Sequence, residues 1–141
     1  MILPDTNVLV YLADESVRQH RTAKSWMEAA LGGSERVGVA WTSLLGFLRL
    51  STHPRLFARP LKTGQAWGMI KTFLASPVAE IIHPGPEHAL LLERLLDDAG
   101  TAGNLVSDAH LAALAIEHGA ELYSFDRDFG RFEGLRWKLL K

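Results

Sequence analysis

Apolar residues in this chain change their spacing repeatedly, and each change marks an element. Met1-Ile2-Leu3 is a short unbroken apolar run stopped by Pro4, which has no N–H to give a sheet ladder, so residues 1–4 read as a first strand. Capping-type side chains Thr6 and Asn7 then open a helix over 6–12. Ala23, Trp26, Met27, Ala30 and Leu31 recur at three- and four-residue spacing, which predicts an amphipathic helix over 20–31, closed by Gly32-Gly33. A second strand is predicted over 36–40, and helices over 44–50 and 64–74. A third strand over 78–82 leads to a leucine-rich helix over 86–96, with Pro86 near its first turn. Residues 100–104 read as a loop. A last helix over 106–118 is closed by Gly119, followed by strands over 121–125 and 135–140. Strands alternating with helices predict an α/β domain with a mainly parallel sheet of four to five strands, covered on both faces.

Composition narrows the class. The chain has 141 residues, 48% of them apolar and 22% charged, which suits one globular domain spanning 1–141. No apolar run approaches the roughly 20 residues that cross a bilayer, so no membrane association is expected. The N-terminus lacks the basic, apolar and small-residue succession of a secretory signal. There is no cysteine, which excludes disulfides and thiolate metal sites and suits a cytoplasmic location. The net charge of −1 gives no global attraction for nucleic acid, so any such site is local. The densest basic stretch holds Arg49, Arg55, Arg59 and Lys62, with no acid between them.

Against that near-neutral background, four aspartates fall at telling places. Asp5 follows the first strand, Asp126 and Asp128 follow the fourth, and Asp108 opens the helix between. Each has an ordinary explanation: Asp5 as a helix cap, Asp126 and Asp128 as turn formers, Asp108 as a charge favoured by the helix dipole. Their conjunction is harder to dismiss. Ligands of open α/β sheets gather beyond the carboxyl ends of the strands. Carboxylates converging there repel one another unless a hard divalent cation lies between them, and oxygen ligands suit Mg²⁺ or Mn²⁺. The chemistry this suggests is metal-assisted in-line hydrolysis of a phosphodiester.

Four motifs, Pro4-Asp5-Thr6-Asn7-Val8-Leu9, Leu48-Arg49-Leu50 with Thr52-His53-Pro54-Arg55, Asp108 to Ala115, and Asp126-Arg127-Asp128-Phe129, occur in an order that resembles PIN-domain ribonucleases. Among these the chain is most similar to VapC-type toxins of prokaryotic toxin–antitoxin pairs. The resemblance implies a PIN-like three-layer α/β/α fold and an Mg²⁺- or Mn²⁺-dependent endoribonuclease acting on structured RNA such as tRNA or ribosomal RNA. It also implies a homodimer and a cognate VapB-type antitoxin that neutralises the enzyme. Asp5, Asp108 and Asp126 match the family's metal-site acids, with Asp128 in support. Many PIN domains carry a glutamate where this chain has Gly46, in Gly46-Phe47-Leu48-Arg49. That departure leaves open one-metal or two-metal occupancy, and Gly46→Glu is expected to strengthen metal binding. It also keeps alive a rival, a catalytically silent PIN-like module that binds RNA or a partner. Arg49, one turn after Gly46, is the candidate for substrate phosphate.

Other features attract simpler readings. Asp128-Phe129-Gly130 spells a kinase metal-binding tripeptide, but the glycine-rich and catalytic loops of kinases are missing. The six histidines show no zinc spacing, and His110 and His118 are expected to pack or cap. Trp26, Trp41 and Trp137 are expected in the core, whereas Trp67 is the candidate for partner contact.

Overall fold

A computed structural model describes residues 1–100 and 102–141; of the predicted loop at 100–104, Thr101 lies outside the described residues. The strands are β1 (Ile2–Pro4), β2 (Val37–Ala40), β3 (Ala79–Ile82), β4 (Glu121–Ser124) and β5 (Trp137–Leu139). The helices are α1 (Thr6–Ala13), α2 (His20–Gly32), α3 (Trp41–Ser51), α4 (Thr63–Leu74), α5 (His88–Ala99) and α6 (Val106–Glu117). Short 3-10 turns occupy Gly103–Leu105 and Arg127–Arg131.

All strand pairs are parallel, in the order β3-β2-β1-β4-β5, with β1 central. Side chains alternate across this sheet, as strand geometry requires. Ile2, Val37, Val39 and Ile81 join a core with residues of α1 to α4. Leu3, Ala40, Ile82 and Leu122 join the opposite core, with α5, α6, Phe129 and Phe132. Two helical layers therefore enclose the sheet, as the alternating pattern predicted. Pro4 is the last residue of β1, where its missing N–H interrupts nothing further.

The connections decide where a ligand site belongs. From β1 the chain moves outward through β2 to β3, then returns to lay β4 on the other side of β1 and β5 beyond it. The direction reverses between β1 and β4, and the crevice beyond their carboxyl ends is the switch point where open α/β sheets bind ligands. Asp5 and Asp126 lie there. Helix α6, which brings Asp108, ends in a double hydrogen bond: Ala120 N donates to Ala115 O at 2.8 Å and Gly119 N to Ile116 O at 3.2 Å. This closure needs a left-handed residue, and Gly119 supplies it with φ of 62°.

Helix α3 starts three residues earlier than its apolar spacing predicts, directly after β2. That start places Trp41 on the outside, 42% exposed, which corrects its expected place in the core. Leu45, one turn on, is also exposed, while Leu44 and Phe47 are buried. Trp26 and Trp137 are half-buried against the two cores, and Trp67 is exposed.

Candidate metal centre

Asp5 caps α1, its Oδ1 accepting the Thr6 N–H at 2.6 Å. Its other oxygen accepts the Ser124 hydroxyl at 2.7 Å. The carboxylate is only 6% exposed. Burial pushes its pKa up, the two hydrogen bonds pull it down, and nearby Asp126 raises it further.

Ser124 is the hinge of the site. Its fully buried hydroxyl donates to Asp5 and accepts from the Asp126 N–H at 2.9 Å and Asn7 Nδ2 at 3.1 Å. Asn7 in turn accepts the Phe125 N–H through Oδ1 at 3.3 Å. One hydroxyl thus ties the end of β1 to the end of β4. Asp126 then folds its own turn, its Oδ1 accepting the Asp128 N–H at 2.9 Å. The ordinary roles of cap and turn former are real, and they hold the acids in place.

Asp108, Asp126 and Asp128 each offer an oxygen within 4.8 Å of the others, and all three are half-buried. Asp108 is pushed up to about 7, first by burial and then by Asp5, Asp126 and Asp128. The cation recorded against this cluster is Arg131, 3.6 Å from Asp128 on the exposed rim. Hard oxygen donors with uncompensated negative charge fit a divalent cation such as Mg²⁺ or Mn²⁺. Asp5 stands beside this trio, coupled by charge to Asp108 and Asp126 and lining the same cleft as Asp108. The cleft is completed by Thr6, Asn7, Val10, Tyr11, Thr42 and Leu50. Arg49 is exposed beside Leu50 and forms no ion pair among the described residues.

The sequence does not single out Ser124, and it marks Asn7 only as a residue that opens α1. The available signal was a serine two residues before Asp126, the spacing that lets its hydroxyl meet the Asp126 N–H. Nor does the sequence single out a second polar cluster. Glu117 accepts the Gly85 N–H at 2.9 Å and pairs with His88 Nδ1 at 2.6 Å, while His88 Nε2 meets His110 Nδ1 at 2.9 Å. His110 therefore packs, as expected, with its pKa lowered first by burial and then by His88. His118 caps α6 and bonds His83 O at 2.9 Å.

A parallel sheet with carboxylates gathered at its switch point defines an α/β domain whose acidic cluster suggests a metal, and comparison with known proteins gives it a family. Residues 2–135 match the PIN domain family. Ribonuclease VapC37 of Mycobacterium tuberculosis is 47% identical over 137 residues, covering 97% of this chain and 95% of that protein. Ribonuclease VapC33 of the same species is 40% identical, covering 97% and 96%. The chain belongs to the PIN-domain family, among the VapC ribonucleases. Its fold is shared by a solved VapBC2 of Rickettsia felis bound to a promoter DNA fragment, with a TM-score of 0.73, 20% identity and full coverage of both chains. It is shared too by VapC20 of M. tuberculosis, described as a sarcin-ricin loop cleaving toxin, with a TM-score of 0.69, 22% identity and coverage of 96% and 99%. No described helix is long and apolar enough to cross a membrane.

Proposed function

We propose that this chain is an Mg²⁺- or Mn²⁺-dependent endoribonuclease toxin, cleaving phosphodiester bonds of a structured RNA and held in check by a cognate VapB-type antitoxin. The observation that carries the reading is the meeting of Asp108, Asp126 and Asp128 beside Asp5 at the sheet's switch point. Asp108 and Asp126 would hold the cation together with Asp5, and Asp128 would complete the donor set or orient a water. A bound ion would supply acidification of water and charge to offset that developing on the leaving oxygen. Ser124 holds Asp5 and Asp126 in fixed relation throughout. Arg49 takes an RNA phosphate, a role that its exposure and lack of an acidic partner support.

The antitoxin reading is supported by structural neighbours that are toxin–antitoxin complexes, among them one from Klebsiella pneumoniae. An arginine from such a partner suits the acidic cluster, because its planar fork pairs bidentately with carboxylates. A homodimer belongs to the same reading. Induced expression tests the catalytic core: the wild type should arrest growth and produce new RNA ends at discrete positions, whereas Asp108→Asn should do neither. Equal arrest by both proteins would sink catalysis in favour of a binding module. Copurification with the product of an adjacent short gene tests the partner.

A further inference from the structure

The carboxylates enter the site from the end of β1, the first turn of α6 and the segment after β4. The remaining wall, α3, gives none. It presents Thr42 and Leu50 to the cleft, and Gly46 lies between them, one helical turn from each. A side chain at 46 would leave the helix on that same stripe. The space is already taken: a Cβ on Gly46 would lie 2.9 Å from Thr6 Cγ2 and 3.7 Å from its Oγ1. Helices α1 and α3 close on each other here through the threonine methyl, which would have to move to admit a Cβ at position 46.

The α1–α3 side of the cleft is therefore lined by Thr6, Asn7, Val10, Tyr11, Thr42 and Leu50, without a carboxylate or imidazole, and the Asn7 amide oxygen already accepts the Phe125 N–H. Two ions in one nuclease site lie roughly 3.5–4 Å apart, and both draw on anionic oxygen donors. Asp5 keeps lone pairs beside its bonds to Thr6 N and Ser124 Oγ, but one carboxylate shared with the first ion gives a second too little anionic charge to be held without substrate. From this, and resting on the ribonuclease reading above, we infer that the protein alone holds one divalent cation, on the Asp108–Asp126–Asp128 side. A second cation enters on the Thr6–Thr42 side only with the substrate's phosphate oxygens.

Calorimetric titration of the metal-free full-length chain with Mn²⁺, without RNA, should give one ion per chain. Two ions of comparable affinity would overturn the inference while leaving the nuclease reading intact. No binding at all would overturn that reading and this inference with it. The double variant Thr6→Ser/Gly46→Glu removes the obstructing methyl and supplies the missing acid. Its stoichiometry should rise to two, and the spin-coupled signal of a Mn²⁺ pair should appear in electron paramagnetic resonance. A normally melting double variant that still binds a single ion would show that position 46 does not face the site.

Discussion

The Ser124 hydroxyl donates to Asp5 Oδ2 at 2.7 Å, joining residues 119 positions apart in the chain. With one proton and two lone pairs, a hydroxyl makes at most three such bonds, and Ser124 makes all three. The relation between the acid after β1 and the acid after β4 is set by this one atom.

Ser124→Ala should therefore hurt twice. Stability should fall by about 1–3 kcal/mol, because the buried Asp5 carboxylate and the Asp126 N–H lose their partner. Mn²⁺ affinity should fall roughly 10- to 100-fold, the usual effect of removing a group that orients metal ligands. Ser124→Thr, which keeps the hydroxyl, should retain most of the affinity. Melts and Mn²⁺ titrations of the three proteins decide it, and unchanged affinity in the alanine variant would rule out the positioning role.

Asp108 makes the metal-free protein sensitive to pH. Its pKa is raised to about 7, so in the folded state it keeps a proton that the unfolded chain gives up. The contribution is fully present below the ordinary carboxylate range and lost as pH climbs through about 7. Partial exposure screens it to on the order of 1 kcal/mol, or about 3 °C in melting temperature. Metal-free melting should thus fall between pH 5 and 8, and saturating Mn²⁺ should restore it by binding only the native state. Asp108→Asn should flatten the slope in part, since buried Asp5 shifts in the same direction. A wild-type slope preserved in Asp108→Asn would place the titration elsewhere.

Much of this design was legible in the chain. The four acids stand out because each borders a strand or opens a helix, and Gly119 announces its turn through the polar-to-apolar break around it. Trp41 was misplaced because apolar spacing put the start of α3 at Leu44 and left Trp41 outside the helix; as its first residue it stands one turn before exposed Leu45. Ser124 escaped notice because a small polar residue in a strand has the same pattern whether it faces solvent or clasps two acids. The His88–Glu117 contact spans 29 positions and exists only once α5 and α6 pack side by side, a relation that no local pattern encodes.

That contact offers a control that separates folding from metal binding. Glu117→Ala removes the acceptor for both Gly85 N and His88 Nδ1, and should cost about 2 kcal/mol. Glu117 stands nine residues after Asp108 on α6, about 13 Å along the helix. Mn²⁺ affinity per folded molecule should be unchanged. A large loss of affinity at a temperature where the variant is fully folded would contradict that independence.

Gly119→Ala tests the closure of α6. A φ of 62° costs a residue with a Cβ about 1–2 kcal/mol, although the space around it is open. Chemical denaturation should show a loss of that size with an unchanged denaturant slope. No loss would mean that the turn relaxes to another conformation.

Because β4 inserts beside β1 only after most of the chain exists, the order of synthesis matters to the cell that makes this protein. A ribosome two-thirds of the way through the message has exposed Asp5 but none of the acids that join it, nor the serine that fixes its oxygen. The site is complete only once β4 pairs along β1 and brings Ser124 and Asp126 to Asp5, so its assembly waits on a contact between the first strand and the fourth.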